Sequence, residues 1–306
     1  MMDAPGPVLV DAAPRLHAAL SELARQGRLV FFAGLPGTGK SLLIHQLTHL
    51  AHVHGRRVHL LQWDVARPVF EASGPGQRFP QDRGVTHGVI RLAVGRWARQ
   101  ALARWDVAHP GAEHLLIGET PFVGHRLVEL ARVADDAAEP LLASAGARFV
   151  VPVPSRAVRA HLEAERARRA VQPLHARERE DAPPEVLRDL WLQLVSVAHR
   201  LSIATAPPGP GGAMPYDPDV YEQVYLRVLA RRHARPLPLD TVLPTAAVSV
   251  YDFRVPTEDL VPTEAEAARF VEAEAGRDPD AGRRQIEAWW APSVDASPPP
   301  GVESRP

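Results

Sequence analysis

The chain has 306 residues, 45% of them hydrophobic, and a formal net charge of -1, which is an ordinary composition for a globular protein with a substantial core. This charge excludes the global positive field of a non-specific nucleic-acid binder, and no apolar run reaches the roughly 18–20 residues that cross a bilayer. There is no cysteine, which excludes disulfides and thiolate metal sites and favours a cytoplasmic location.

The first predicted elements surround a glycine-rich loop. A helix is expected at residues 14–26, where leucines recur at helical spacing, and a buried strand at residues 28–33. The loop Gly34–Ser41 follows directly, and another helix is expected at residues 40–54. A strand, a loop of the pattern G-x-x-x-x-G-K-[ST] and a helix in this order predict a P-loop that binds the phosphates of a nucleoside triphosphate.

Every residue of this loop is a candidate nucleotide contact: Gly34, Leu35, Pro36, Gly37, Thr38, Gly39, Lys40 and Ser41. We expect Lys40 to bridge phosphate oxygens and the Ser41 hydroxyl to be a Mg²⁺ ligand, so that the ligands are ATP and Mg²⁺. The chain has 35 lysines and arginines, and Lys40 is its only lysine, which leaves 34 arginines. A planar guanidinium cannot replace a compact ammonium between phosphates, so this placement favours a loop that is in use.

The next predicted elements carry a pair of charged residues. A second strand is expected at Arg57–Trp63. Asp64 follows it directly, and Arg67 comes three residues after Asp64. Because parallel strands point their carboxyl ends at the ligand crevice, both side chains are predicted to face the γ-phosphate, the carboxylate as a proton acceptor and the arginine as a phosphoryl or acceptor contact. An Asx turn with a local ion pair is the alternative. An exposed loop at 71–84 and a helix at 89–105 complete this region.

The alternation of strands and helices continues in the middle of the chain. A third strand is expected at residues 114–118, a helix at 122–134 and a fourth strand at 148–151. This alternation predicts an α/β fold, namely a three-layer α/β/α arrangement with a mostly parallel sheet.

The C-terminal half carries more helices and loops. These are helices at 155–171, 185–201, 219–234, 264–275 and 283–290, a Pro/Gly linker at 206–218, a strand at 247–251 and a disordered tail at 291–306. We interpret residues 1–254 as a P-loop domain that contains a helical lid at about 155–201, and residues 255–290 as a helical C-terminal extension.

The glycine loop and the Asp64/Arg67 pair together carry a family resemblance. The order Gly-Leu-Pro-Gly-Thr-Gly-Lys-Ser, then a strand ending in Asp-x-x-Arg, resembles the P-loop kinases of the adenylylsulfate kinase and polynucleotide kinase type, closely over residues 28–70 and loosely over 113–200. The resemblance implies a P-loop NTPase fold and transfer of the ATP γ-phosphate to a hydroxyl. It implies that Asp64 is the acceptor-side base or anchor and that Arg67 contacts the substrate.

Glu119 follows the third predicted strand, where P-loop proteins carry the acidic Walker B residue. The resemblance therefore implies that Glu119 holds Mg²⁺ through water, or orients a nucleophile, although a glutamate here replaces the usual aspartate. A glutamate that begins a helix before Pro121 is the alternative.

The predicted helix at 155–171 is rich in arginine and poor in apolar residues, and in such kinases this place is taken by a lid that closes over ATP. Lid arginines would neutralise the transferring phosphoryl group, and closure would exclude water. The candidates are Arg156, Arg159, Arg166 and Arg169. A solvated face with ion pairs such as Glu165–Arg169 is the alternative.

The phosphoryl acceptor is not identified by the sequence. Basic residues in the 71–84 loop and the following helix would suit an anionic acceptor, which is a small molecule or a nucleic-acid end: Arg78, Arg83, Arg91, Arg96 and Arg99. Two other hypotheses stay open, an AAA-type ATPase and a regulatory module that ATP only orders. Against the ATPase, Glu119 lies far from Lys40 in sequence and no Asp-Glu pair closes a strand.

Two further clusters have structural interpretations. His45, His49 and His52 share one helical face without a carboxylate, which predicts a solvated face rather than a zinc site. The Trp289-Trp290 pair is expected to pack the last helix onto the core.

Overall fold

The computed structural model describes residues 8–82, 84–180, 182–203, 214–245, 249 and 255–291. These residues form an α/β fold around a six-stranded sheet in the order β5-β4-β1-β3-β2-β6, in which every pairing is parallel. The strands are β1 (Leu29–Ala33), β2 (Arg57–Leu61), β3 (His114–Thr120), β4 (Ala147–Pro154), β5 (Ala234–Leu239) and β6 (Thr257–Asp259). The helices are α1 (Pro14–Gln26), α2 (Lys40–Val53), α3 (Trp63–Ala72), α4 (Gly88–Ala108), α5 (Glu139–Leu142), α6 (Arg156–Val171), α7 (Pro184–Arg200), α8 (Pro218–Val228), α9 (Glu264–Ala275) and α10 (Pro279–Glu287).

The sheet separates two hydrophobic cores. Alternate side chains of β1 point to opposite faces, so Phe31 lies in the core shared with α4, α7, α8 and α9, whereas Phe32 lies in the core shared with α1 and α2. Both phenylalanines are fully buried, and each such side chain contributes about 1.5–3 kcal/mol of transfer free energy. Helices on both faces are compatible with the predicted three-layer α/β/α arrangement.

The predicted helix at 122–134 is wrong. Phe122, His125 and Leu127 have φ values near +60°, which a helix does not contain, and a 3-10 turn occupies only Val128–Leu130. Buried arginines from other elements bind carbonyl groups of this segment: Arg99 donates to Glu129 O and Arg232 to Leu130 O. These tertiary hydrogen bonds replace the helical ones, and local sequence patterns do not reveal them.

The predicted helix at 219–234 is too long, because α8 ends at Val228 and residues 234–239 form strand β5. This strand contains Pro236 and Pro238, which lack backbone N–H groups and are tolerated because β5 is at the edge of the sheet. The short strand β6, at the other edge of the sheet, has no counterpart among the predicted strands. The predicted strand at 247–251, except Ser249, lies outside the described residues, as does most of the linker at 206–218 and all but residue 291 of the tail.

The C-terminal segment packs on the same sheet and core as the rest of the chain. β6 pairs in parallel with β2, and Ala267 and Val271 of α9 are buried in the core that α4 also lines. Trp289 is buried in that core and Trp290 packs against it, as expected, but the predicted helix at 283–290 is displaced, because α10 ends at Glu287, before both tryptophans. Among the described residues no helix is both long and apolar enough to cross a membrane.

Candidate functional site

The glycine loop joins the carboxyl end of β1 to the first turn of α2. Gly37 and Gly39 have φ values of +75° and +83°, in the left-handed region that side chains disfavour, so the curl of this loop requires glycine at both positions. At Gly34 a Cβ atom would lie 2.3 Å from the Tyr221 hydroxyl. Inside the curl, the Thr38 hydroxyl donates to the carbonyl of Leu35 at 2.9 Å.

Lys40 is the first residue of α2, and its side chain is buried beneath the glycine loop. The ammonium donates to the carbonyl of Leu35 at 2.9 Å. Burial lowers the pKa of Lys40 from 10.5 to about 8, because a charge is taken out of water; Glu119 opposes this shift and Arg166 adds to it. The protein therefore holds its only lysine in a poorly solvated position, where a bound anion would stabilise the charged ammonium.

Glu119 reaches the same place from the neighbouring strand. β3 continues to Thr120, one residue beyond Glu119 and two beyond the predicted end, and pairs Glu119 with Phe32 of β1. Because side chains alternate along a strand, Glu119 points to the face covered by α2. Burial raises the pKa of this carboxyl, and the negative charge of Asp64 raises it further, while Lys40 opposes both effects. No helix begins at Glu119, so the alternative structural role does not apply.

Asp64 lies in a helix rather than at the end of a strand. β2 stops at Leu61, and α3 begins at Trp63, which puts Asp64 in the first turn, where a carboxylate interacts favourably with the helix dipole. Asp64 still faces the glycine loop. One turn later, Arg67 pairs with Glu71 at 2.7 Å and does not line the cavity beside the loop. The structure therefore brings Asp64 to the cavity wall, whereas Arg67 lies outside it, near enough to Arg126 for its charge to lower the pKa of that residue.

Arg126 is a site residue that sequence reasoning missed. It lines the cavity together with Asp64 and Glu119, and burial lowers its pKa while both carboxylates oppose that shift. It belongs to the segment predicted as a helix, where Phe122 and Arg126 instead form an antiparallel bridge. The only sequence signal was its position shortly after the third strand, and arginine is too common in this chain for that to stand out.

The loop that carries Arg126 is strained and firmly held. Non-glycine residues with positive φ cost about 1–3 kcal/mol each and persist only where the surroundings impose them. Here the Tyr225 hydroxyl donates to the carbonyl of Pro121, Arg91 donates to Gly124, and His125 bonds Glu129 at 2.7 Å. Strain held by such contacts is typical of functional sites.

The arginine-rich helix α6 packs over the glycine loop, and its four candidate arginines have different partners. Arg166 and Arg169 line the cavity, and Arg169 also bonds Glu178 at 2.8 Å. Arg159 is buried and donates to the carbonyl of Pro36 at 3.2 Å, so it holds helix and loop together. Arg156 is exposed and pairs with Asp217 at 2.8 Å.

These elements enclose a cavity of about 230 Å³ at the glycine loop. Its cations are Lys40, Arg126, Arg166 and Arg169, and its carboxylates are Asp64, Glu119, Glu165 and Glu178. The exposed Ser41 hydroxyl also lines it. The four cations suit phosphate groups, and the Glu119 carboxylate with the Ser41 hydroxyl offers hard oxygen donors of the kind that Mg²⁺ prefers.

The described arginines among those that suggested an anionic acceptor do not line this cavity. Arg78 pairs with Glu272, Arg96 with Glu274, Arg99 with Asp136 and Glu139, and Arg91 binds backbone carbonyls, while Arg83 is outside the described residues. The four described arginines therefore stabilise the packing of α4 and its neighbouring segments.

Comparison with known proteins adds no relative. No protein-family model matches the chain, and no curated protein or solved structure matches it significantly.

The buried ammonium predicts a measurable cost in stability. Since the pKa of Lys40 is lower in the folded protein, the unfolded chain binds more protons between about pH 8 and 10.5, and the free energy of unfolding rises with pH there. We therefore expect Lys40→Met, without nucleotide, to raise the free energy of unfolding by about 1–3 kcal/mol at pH 7 and by less at pH 9.5. Urea titrations at both pH values test this, with the exposed Arg15→Met as control. A less stable Lys40→Met would contradict it.

Proposed function

We propose that this chain binds Mg-ATP at Gly34–Ser41 and transfers the γ-phosphoryl group to a hydroxyl of a second substrate. The observation that carries the proposal is the convergence of Asp64, Glu119 and Arg126 with Lys40 in one cavity at this loop. Phosphoryl transfer requires positioned cations at the phosphates, a metal site and a proton acceptor, and these residues supply each of them.

The side chains divide into roles by their chemistry. Loop N–H groups and Lys40 bind the β- and γ-phosphates, while Ser41 and Glu119 would hold Mg²⁺, the latter through water. The raised pKa of Glu119 beside a second carboxylate fits this role, because a divalent cation would relieve the repulsion. Asp64, at the start of α3, is then the base that takes the acceptor proton.

Helix α6 supports transfer over hydrolysis. Arg166 and Arg169 cover the glycine loop, and Arg159 attaches α6 to the loop by its bond to Pro36. A cover of this kind excludes water and neutralises charge on the group in transfer. The acceptor enters the proposal only as a small molecule or a nucleic-acid end that bears a hydroxyl.

The test follows the γ-phosphate of labelled ATP in the presence of Mg²⁺, with 5′-hydroxyl oligonucleotides and a panel of small hydroxyl metabolites as acceptors. We expect label on one class of acceptor, with Lys40→Met inactive. Phosphate release that no acceptor diverts would favour an ATPase instead. If neither ATP nor GTP bound in a calorimetric titration, nucleotide binding itself would be wrong.

A further inference from the structure

Three histidines lie close together near the end of the sheet at which β2 and β3 begin, whereas the glycine loop follows the carboxyl end of β1. His59 lies in the middle of β2, His114 is the first residue of β3, and His109 directly follows α4. One ring nitrogen from each lies within 4.8 Å of the others. His114 is five residues before Glu119 on β3, which is about 17 Å along the strand, so this cluster is separate from the cavity at the glycine loop.

The fold, rather than a sequence motif, brings these rings together. Parallel pairing aligns His59 with Leu116, so His59 and His114 lie near each other on adjacent strands, and the end of α4 returns the chain to the start of β3 beside them. The ring centroid of His109 lies 4.4 Å from that of His59 and 4.5 Å from that of His114. His59 and His114 are 2% and 8% exposed, while His109 is partly exposed.

One nitrogen of each buried ring points toward the other ring at hydrogen-bond distance, where a metal ion would replace the shared proton. His59 Nε2 and His114 Nδ1 face each other at 2.9 Å, and the other nitrogen of each ring faces a carboxylate. His59 Nδ1 lies 3.4 Å from Glu258, and His114 Nε2 lies 3.5 Å from Glu113. A carboxylate on the second nitrogen fixes the tautomer and orientation of a ligating histidine and makes it a stronger donor.

The backbone of two of these residues is also held in place. The Arg28 guanidinium donates to the carbonyls of both His109 and His114 and pairs with Asp106 at 2.7 Å. Arg56 donates a further bond to the His114 carbonyl at 3.0 Å. These arginines are engaged with carbonyl and carboxylate oxygens and rigidify the two positions from which the rings project.

We propose that His59, His109 and His114 form a binding site for a Zn²⁺-type divalent ion, with water as the fourth ligand. In a tetrahedral site with Zn–N bonds of about 2.0–2.1 Å, neighbouring nitrogens lie about 3.3 Å apart. The facing nitrogens of His59 and His114 therefore need to separate by a few tenths of an ångström. The partly exposed His109 leaves an entry path. Bound metal would join β2, β3 and the end of α4, and through Glu258 the edge strand β6.

The histidines at helical spacing on α2 are a useful contrast. His49 is buried, contrary to the predicted solvated face, whereas His52 is exposed. Among the described residues, the ring nitrogens that converge within ligand distance are those of His59, His109 and His114. The exposed His52 therefore serves as a control for non-specific binding.

The test titrates the metal-free protein with Co²⁺ and then displaces it with Zn²⁺. We expect one equivalent of Co²⁺ to produce the intense visible bands of a tetrahedral site, and Zn²⁺ to abolish them and raise the melting temperature. Trp105 lies with its ring centroid 5.5 Å from that of His59, so its fluorescence should be quenched by Co²⁺ in the same titration.

Variants decide whether these residues are the ligands. His109→Ala, in which a partly exposed side chain is lost, is expected to weaken Co²⁺ binding at least 100-fold, and Glu258→Gln about 10-fold, while His52→Ala binds like the wild type. Circular dichroism establishes that each variant is folded. Absence of stoichiometric Co²⁺ binding, or equal binding by wild type and His109→Ala, would overturn the proposal.

Discussion

Replacing Asp64 with asparagine is expected to slow phosphoryl transfer about 10³-fold while changing the affinity for Mg-ATP by less than about threefold. A positioned general base contributes about 10²–10⁴-fold, and an amide of the same shape cannot accept the proton of the acceptor hydroxyl. Asp64 lies in the first turn of α3 and lines the same cavity as the residues of the glycine loop. Single-turnover transfer and calorimetric binding of ATP measure the two quantities separately.

The matched control is Glu71→Gln, the same chemical change on the same helix. Glu71 pairs with Arg67 and does not line the cavity, so its loss should change the transfer rate by less than about threefold. If Asp64→Asn lowered ATP affinity as much as transfer, Asp64 would be a metal or nucleotide ligand, and its role as base would be wrong.

Replacing Arg126 with alanine is expected to reduce the rate of transfer at least about 10³-fold, with a smaller loss of ATP affinity. An arginine directed at the transferring phosphoryl group is worth about 10³–10⁵ in rate, because it stabilises charge that is redistributed in the transition state. The strained loop that holds Arg126 beside Asp64 and Glu119 fixes its position before substrate binds. Arg126→Lys should recover only part of the rate, since an ammonium lacks the bidentate geometry.

Two other arginine variants make this prediction specific. Arg104→Ala removes an exposed arginine of α4 that pairs with Glu266, and should leave transfer unchanged. Arg67→Ala should cost less than Arg126→Ala, because Arg67 is held by Glu71. A larger loss for Arg67 than for Arg126 would restore the role that the family resemblance assigned to Arg67.

Local patterns were sufficient for the glycine loop and the central elements around it. The leading helix, β1 and α2 have nearly their predicted bounds, because a buried apolar strand and an amphipathic helix are both encoded by neighbouring residues. The left-handed backbone at Gly37 and Gly39 also follows from residue type. The α/β class followed from the alternation of strands and helices.

Other features depended on partners that are distant in sequence. The segment after β3 contains residues of helical propensity, but arginines from α4 and from the turn after α8 bind its carbonyls and hold it in a strained loop. Arg126 is presented to the cavity only because that loop forms. The prolines of β5 concealed a strand, because proline tolerance depends on lying at the sheet edge, which only the assembled sheet establishes.

The same division applies to charged and histidine side chains. The sequence by itself determined the glycine-rich loop at Gly34–Ser41 and singled out Asp64 and Glu119, because short spacing along a strand or a turn limits where a side chain points. Whether Arg67 or Arg126 reaches the cavity, and whether three histidines converge, was decided by tertiary structure alone. Strand register and helix packing bring together residues whose separation along the chain carries no signal.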